Sequence, residues 1–414
     1  MNPVLIAFTI LLCLKLAAEV LLDYLNLRNI QANANTIPDG FRGFIDTETY
    51  EKSVAYSIAK QRFSIVDSLF DTAFLAVLVF SGVLVWLWAK ISELTGTGLW
   101  GQSIGLFLLG ILLSLPGLPL ELYNTFKLEA RFGFNKSTAG LWISDKLKGL
   151  VLSTVLLIPL LTLILWLVNL PVWWVWAAIV ITVFQIVMLV AYPMFIMPLF
   201  NKFTDLEAGD LRDRLMSLAE RTGFQARSIL VMDGSKRSGH SNAFFSGLGK
   251  MRRIVLFDTL MNQLTEEELE AILAHEIGHY KLSHIPRLLL VNVVITIAAF
   301  AVLGWLLQQP NFIQAFGFQW QPGLYAPTFL MFSMISGLVT FWITPFSSIF
   351  SRRYEYQADA FAKKALQGDG QPLICALHKL HKENLSNLTP HPLYSAFHYS
   401  HPTLTERETA LRED

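Results

Sequence analysis

Apolar runs of membrane-spanning length recur along the chain and are separated by polar segments. A helix that crosses the hydrocarbon core of a bilayer needs roughly 20 apolar residues. Between Gly149 and Asn201 no charged residue occurs, and "VNLPVW" (168–173) predicts a tight hairpin inside that stretch. The pattern predicts seven membrane-spanning helices, near residues 3–22, 69–89, 101–121, 150–169, 172–198, 288–307 and 327–350.

Two polar segments are long enough to form a folded cap. In the first, "DLEAGDLRDRLMSLAERTGF" (205–224) and "LTEEELEAILAHEIGHYKLSH" (264–284) predict helices, and the second of these has a capping box, with Thr265 as N-cap and Glu268 three residues later. Between them "SILVMD", "NAFFSG" and "RRIVLFD" predict strands. The tail after Arg352 predicts helices interrupted by "LTPHPLYSAFHYSHP".

The spans and polar segments alternate, which predicts four parts. Residues 1–200 form membrane helices one to five with their loops, and residues 201–286 form the first polar segment. Residues 287–350 form helices six and seven, and residues 351–414 form a C-terminal segment. The two polar segments are expected to assemble into one α/β cap.

Composition agrees with a membrane protein. The 414 residues are 53% hydrophobic and 15% charged, whereas about a quarter of the residues in a soluble protein are charged. The mean hydropathy is +0.46. The formal net charge of zero gives no indication of nucleic-acid binding.

The distribution of Lys and Arg predicts the orientation in the membrane. Positive residues concentrate in the first and third loops, in residues 201–287 and in the tail. The positive-inside rule therefore places the N-terminus outside and the cap on the cytoplasmic side. The pattern does not distinguish a bacterial inner membrane from the endoplasmic reticulum.

Three charged residues in the first predicted span, Lys15, Glu19 and Asp23, share one helical face. Charges that face hydrocarbon are costly, so this face is expected to meet another protein segment or water. Two interpretations remain open: a charge ladder at the interface in which only Lys15 is buried, or a water-containing interior.

The motif "HEIGH" (275–279) is the strongest chemical signal. His275 and His279 lie one helical turn apart, so both imidazoles point to the same side and can hold one metal ion. Glu276 lies beside them, where its carboxylate can take a proton from water, as in zinc metalloproteases. The alternative is a surface helix with incidental histidines.

A catalytic zinc needs a third protein ligand, and "SRRYEYQADAFAKKAL" (351–366) supplies a candidate. Glu355 directly follows the last span, and Asp359 lies four residues later on the same helical face. Glu355 can bind the metal while Asp359 accepts a hydrogen bond from a metal-binding histidine. Alternatively, Arg352, Glu355 and Asp359 form ordinary surface pairs. The ion would lie at the membrane boundary, which favours a membrane-attached peptide as the substrate.

Five stretches together resemble a known family, the type I CAAX prenyl endopeptidases, which are integral-membrane zinc metalloproteases of the gluzincin class. They are "AHEIGHYKLSH", "SRRYEYQADAFA", "GHSNAFFSG", "YSHPTLTERETAL" and "EARFGFNKST". The resemblance covers nearly the whole chain. It implies a mainly α-helical polytopic membrane protein with seven transmembrane helices around a hollow chamber and a small cytoplasmic α/β zincin-like catalytic cap.

The resemblance also implies residue roles. His275, His279 and Glu355 would bind one zinc ion per chain, and Glu276 would activate water. Asp359 matches an acidic residue beside the site that is sometimes described as a proton donor. The expected substrate-binding residues are Asn242 and Ala243, on an edge strand, and His401 and Arg407, in the tail. The alternative for Asn242 and Ala243 is an ordinary strand entry, for His401 a His-Pro turn and for Arg407 a solvated charge. His284 is expected to point away from the metal.

The implied function is removal of the C-terminal tripeptide of prenylated CAAX proteins, with a lipidated or membrane-associated peptide and membrane lipid as partners. A membrane-protein quality-control metalloprotease without a prenyl requirement remains an alternative. A polytopic transporter with a metal site is the non-enzymatic alternative, although no paired repeat with broken helices is evident. The sequence does not indicate an oligomeric state.

Overall fold

The computed structural model describes residues 2–246 and 252–413 of the chain and is mainly helical. Seven helical segments are long and apolar enough to cross a membrane, in agreement with the predicted number. These first to seventh spans are Pro3–Ala32, Thr47–Phe80, Leu99–Phe132, Ala139–Leu167, Trp173–Phe200, His284–Leu307 and Ala326–Ala365.

Shorter helices and four strands complete the described residues. The α-helices in chain order are α1 Pro3–Ala32, α2 Thr47–Phe80, α3 Val83–Thr95, α4 Leu99–Ser114, α5 Leu118–Tyr123, α6 Ala130–Phe132, α7 Ala139–Leu167, α8 Trp173–Ala191, α9 Met197–Phe200, α10 Asp210–Arg221, α11 Asp258–Gln263, α12 Glu266–Lys281, α13 His284–Leu307, α14 Pro310–Ala315, α15 Ala326–Ala365, α16 Gln371–Glu383, α17 Pro392–His398 and α18 Leu404–Glu413. The strands are β1 Phe203–Asp205, β2 Ser228–Met232, β3 Ala243–Ser246 and β4 Arg253–Phe257. Single π-helical turns interrupt the third span at Asn124–Glu129 and the fifth at Tyr192–Ile196.

The predicted bounds of the second span are wrong. The prediction placed it at 69–89, but α2 ends at Phe80 and Gly82 adopts φ +77°. A left-handed residue cannot continue a right-handed helix. The apolar run continues across this turn into α3, so hydrophobicity alone does not reveal the break.

The spans form a ring in which successive helices are neighbours. The first span contacts both the second and the seventh, and contacts also join the third to the fourth, the fourth to the fifth, the fifth to the sixth and the sixth to the seventh. The most apolar part of each span is only 0% to 22% buried. In the sixth span the four consecutive residues 285–288 are all exposed. Successive helical residues point about 100° apart, so the helix is exposed on all sides there and the interior of the ring is not filled at this level.

The charged face of the first span meets the second span. Asp23 is 4% exposed and accepts hydrogen bonds from Gln61 and Ser64 of α2. Lys15 pairs with Glu19, with a distance of 2.7 Å between Nζ and Oε1. The interpretation as a charge ladder in which only Lys15 is buried is therefore wrong, because Asp23 is buried. The side chains of Gln61 and Ser64 supply the hydrogen bonds that water would otherwise give to Asp23.

The cap contains a four-stranded sheet in the order β1-β2-β4-β3. β2 and β4 are parallel, and the two outer strands pair antiparallel with them. The three predicted strands are present, although Gly247 at the end of "NAFFSG" lies outside the described residues. β1 was not predicted, because it has only three residues and its last residue, Asp205, begins the stretch that we interpreted as helical.

One hydrophobic core joins the two polar segments into the cap. Side chains of α10, the sheet, α12 and α16 pack together, and Leu215, Leu218, Ile254, Leu273 and Leu377 are each at most 4% exposed. Fully burying one such side chain contributes about 1.5–3 kcal/mol. The cap therefore fixes α12 against the helices that follow the seventh span.

Candidate metal centre

The two motif histidines lie on α12, a helix with a well-formed start. Glu268 accepts a hydrogen bond from the Thr265 backbone N–H, and the Thr265 side chain caps the Glu268 N–H, so the predicted capping box is present. His275 and His279 project from the same face, as the four-residue spacing predicts. Their Nε2 atoms lie 3.1 Å apart.

Glu355 reaches these histidines from α15. This helix has 40 residues and extends the seventh span beyond its apolar part. Glu355 is 3% exposed. Its Oε2 lies 3.5 Å from His275 Nε2, and its Oε1 lies 3.3 Å from His279 Nε2. The three side chains predicted as metal ligands therefore converge.

The convergence has the dimensions of a metal site. Ligands about 2.1 Å from a tetrahedral zinc ion lie roughly 3.4 Å from one another, and the three distances here are 3.1 to 3.5 Å. Glu355 Oε2 is buried without a hydrogen bond of good geometry, although His401 Nδ1 lies 2.8 Å away. Arg407 Nη1 also lies 3.5 Å from this oxygen. A buried carboxylate oxygen without a well-aligned hydrogen bond is costly, and a cation between the three side chains would satisfy it. The residues therefore fit a divalent metal.

Asp359 and Arg407 lie behind His275. His275 Nδ1 donates to Asp359 Oδ1 across 2.8 Å. Arg407 donates to both oxygens of Asp359, from Nε at 2.8 Å and from Nη2 at 2.5 Å. Asp359 is 2% exposed and Arg407 is 6% exposed. A carboxylate that accepts the second N–H of a metal-binding histidine fixes the tautomer and orientation of the ring.

The environment shifts the pKa of two groups of α12. Burial raises the pKa of the Glu276 carboxyl, which lies next to His275, and protonated histidines would oppose that shift. Burial lowers the pKa of His275, but hydrogen bonds with Asp359 and Glu355 outweigh it and raise the pKa to about 9. Metal binding requires the neutral imidazole, so it would displace a proton from His275.

The expected position of His284 is wrong. We expected one helix over residues 264–284, with His284 pointing away from the metal. Instead α12 ends at Lys281 and Ser283 has φ +57°. The turn brings His284 Nδ1 to 3.0 Å from His279 Nδ1. Because Ser283 adopts a left-handed conformation, the chain turns between α12 and α13. The spacing of the residues in the sequence does not indicate this turn.

The other predicted substrate-binding residues lie in the cap. Asn242 immediately precedes β3, and its Oδ1 accepts a hydrogen bond from the Ala243 N–H. β3 is an outer strand of the sheet and contacts α12. His401 lies beside Glu355 with its side chain 64% exposed. These positions leave Asn242, Ala243 and His401 accessible, whereas Arg407 is buried and engaged with Asp359.

Comparisons with known proteins agree with this arrangement. Residues 26–202 match the family described as CAAX prenyl protease N-terminal, five membrane helices. Residues 205–414 match peptidase family M48. The chain is 40% identical to CAAX prenyl protease 1 of Saccharomyces cerevisiae, over 94% of this chain and 91% of that protein. It is 38% identical to the CAAX prenyl protease 1 homolog of Arabidopsis thaliana, over 94% and 93%.

A solved structure resembles the whole chain. The crystal structure of Ste24p from S. mikatae superposes with a TM-score of 0.91 at 36% sequence identity and covers 99% of both chains. The likeness therefore extends to the ring of spans as well as to the cap.

Proposed function

The chain belongs to the CAAX prenyl proteases of peptidase family M48 and is a membrane metalloendopeptidase, and we propose that it removes the C-terminal tripeptide of prenylated CAAX proteins. The single observation that carries this proposal is the convergence of His275, His279 and Glu355 on one point. The names of the similar proteins support the substrate class.

The metal is zinc, bound by His275, His279 and Glu355. Two imidazoles and one carboxylate form a ligand set that occurs in catalytic zinc sites, and it leaves one position open. When bound, zinc supplies Lewis-acid activation of water and of the scissile carbonyl.

Glu276 acts as the general base. It accepts a proton from the attacking water and returns one to the amine of the leaving tripeptide as the peptide bond breaks. Its raised pKa suits this exchange, because a base works best when its pKa lies near the operating pH. No covalent intermediate with the protein is needed.

Asp359 and Arg407 position the metal ligands. Asp359 holds His275, and Arg407 holds Asp359. This geometry favours a positioning role for Asp359 over a proton donor, because both of its oxygens are engaged and it is buried. It equally favours a positioning role for Arg407 over direct binding of the substrate carboxylate.

The substrate adds as an extended peptide along β3. Asn242 and Ala243 present backbone groups at an outer strand, and β-strand addition is a general way to hold a peptide. The imidazole of His401 lies beside Glu355 and is exposed to solvent. From there it can contact the reacting carbonyl or the new carboxylate.

The cap faces the cytoplasm. Lys and Arg are frequent in the helix ends and loops that adjoin it, including Arg28, Lys136 and Lys148, whereas Lys90 is the cation between the second and third spans at the opposite end. The positive-inside rule then places the cap in the cytoplasm and the N-terminus outside.

The testing experiment compares a farnesylated CAAX peptide with the same peptide lacking the farnesyl group. The purified protein should cleave the farnesylated peptide, and a chelator should abolish cleavage. Glu276→Gln should retain zinc and lose cleavage by 100-fold or more, about the contribution of a general base. Equal cleavage of both peptides would overturn the prenyl requirement, and normal turnover by Glu276→Gln would overturn the role of Glu276.

A further inference from the structure

A cationic groove lies between the second and third spans. It has a volume of about 730 Å³. The second span contacts the third mainly at the π-helical turn Asn124–Glu129. Because the two spans make few other contacts, the groove between them is open. Its walls are apolar and aromatic, and they include Phe63 and Val66 of α2 and Leu120 and Tyr123 of the third span.

Three cations line the groove, and within residues 2–246 and 252–413 none has a carboxylate within 4.0 Å. They are Arg62, Lys127 and Arg131, and all three are exposed. The nearby carboxylate of Glu129 is already engaged, since it accepts hydrogen bonds from Tyr56 at 2.9 Å and from Lys60 at 3.0 Å. The groove therefore combines an unneutralised positive rim with an apolar wall.

We propose that this groove binds the phosphate of an anionic phospholipid. Cations on membrane-spanning helices are costly unless an anion or water accompanies them, and basic pockets between such helices bind anionic head groups. The rings of Phe63 and Tyr123 are stacked with their centroids 6.0 Å apart. They offer an apolar surface to the acyl chain below a phosphate held by Arg62, Lys127 and Arg131.

The test is native mass spectrometry of the full-length protein in detergent with added lipid. Phosphatidylglycerol should bind at least tenfold more tightly than zwitterionic phosphatidylcholine. The triple variant Arg62→Gln, Lys127→Gln, Arg131→Gln should lose this preference. A matched control, Arg28→Gln, Lys136→Gln, Arg287→Gln, removes three exposed cations elsewhere and should keep it.

Each remaining outcome overturns the proposal. Equal losses in the two triple variants would indicate general electrostatic attraction instead of a site. Unchanged binding by the groove variant would place the lipid elsewhere. Inorganic phosphate that binds as tightly as the lipid would make the occupant a soluble anion.

A second, independent observation concerns His284, which the sequence pattern placed away from the metal. Its side chain is 1% exposed and stacks on Tyr354 with the rings 4.3 Å apart and 14° from parallel. Its Nε2 donates to Gln357 Oε1 across 3.0 Å. The ring is therefore held from two sides, and both of its nitrogens are engaged.

We infer that His284 positions His279 through a chain of neutral hydrogen bonds, an inference that rests on the proposed zinc site. If His279 binds metal through Nε2, its Nδ1 carries the proton and donates to His284 Nδ1. The proton of His284 then resides on Nε2 and is directed at Gln357. His275 is held by a carboxylate in the same way, so each histidine ligand has its own partner.

Zinc affinity, measured by competition with a chromophoric chelator, tests this inference. His284→Leu should weaken zinc binding by 10- to 100-fold, the usual effect of losing such a partner. His284→Asn places an amide oxygen near the position of Nδ1 and should restore part of the affinity. Wild-type affinity in His284→Leu would overturn the inference, as would no rescue in His284→Asn. Absence of zinc binding by the wild-type protein would instead overturn the proposed metal site.

Discussion

At the scale of single residues, the buried pair of Asp359 and Arg407 makes a specific prediction. Asp359→Asn keeps the shape of the side chain but removes the negative charge that faces His275 and Arg407. We expect zinc affinity to fall by about 10- to 100-fold. We also expect lower stability, because removing one partner of a buried ion pair costs about 3–5 kcal/mol. Chelator competition and thermal unfolding measure the two effects, and unchanged values in both would contradict the assigned role.

His381 predicts a dependence of stability on pH. Burial lowers its pKa to about 4, and the positive charge of Arg407 acts in the same direction. The unfolded chain binds this proton more readily, so the stabilisation is complete above pH 6.5 and decreases as the pH falls toward 4. At pH 5 the loss amounts to about 2 kcal/mol. His381→Gln should therefore lose less Tm than the wild type between pH 7.5 and pH 5, and equal losses would exclude His381 as the responsible group.

The sequence predicts the residues of the metal site better than their surroundings. His275, His279 and Glu355 are recognisable because helical spacing fixes the directions of the two histidines and the end of a span places the carboxylate. His284 escapes this reasoning, since one left-handed residue, Ser283, reverses the direction that spacing alone predicts. Arg407 is predicted only as a substrate-binding residue, because nothing in the residue pattern of the tail indicates its buried contact with Asp359.

At the scale of elements, the close packing of α12 on α15 sets the distance between the histidines and Glu355. Gly278 lies at this contact, and a Cβ built there would lie 3.1 Å from Cα and from the carbonyl oxygen of Ala358. The neighbouring atoms are backbone, which cannot rotate away. The geometry of the candidate metal site thus depends on Gly278, which is not one of the proposed ligands.

Gly278→Ala should push α12 away from α15 and weaken zinc binding. Overpacking of this kind costs about 1–3 kcal/mol, and a displacement of the ligands lowers turnover further. Zinc affinity and peptide cleavage measure the effect. Gly149→Ala in α7 is the matched control, because a Cβ there meets no atom within 4 Å. Equal behaviour of the two variants would show that the helix contact does not set the site.

The bounds of helices and strands could be predicted where the hydrophobic pattern changes at the end of the element. They could not be predicted where the same pattern continues past the end. The start of α12 follows from its capping box, and the three longer strands follow from β-branched and aromatic runs. The turn at Gly82 lies inside an apolar run, so the second span was placed too late in the chain. The strand β1 has three residues, too few for a pattern to emerge.

At the scale of the whole molecule, the ring of spans and the cap depend on each other. The seventh span continues as α15 into the cap, where it delivers Glu355, and the sixth span begins three residues after α12 ends. A metal ion bound by His275, His279 and Glu355 therefore links segments that are about 80 residues apart in the chain, as a crosslink would. The sixth span is exposed on all sides at residues 285–288, next to α12, so packing between spans does little there to hold α12 in place and a metal link would add to the stability of the protein.

Removing the metal should for this reason lower the Tm of the wild-type protein. A ligand that binds only the folded state stabilises it by about 4 kcal/mol when its free concentration is roughly 1,000 times its Kd. A chelator should thus lower the Tm by several degrees, and added zinc should restore it. Glu355→Ala should unfold at a lower temperature than the zinc-bound wild type and respond much less to the chelator, because it has lost one ligand. Glu267→Ala, which removes an exposed carboxylate from the first turn of α12, should respond as the wild type does. A chelator response of equal size in Glu355→Ala and the wild type would mean that the stabilising ion is bound elsewhere.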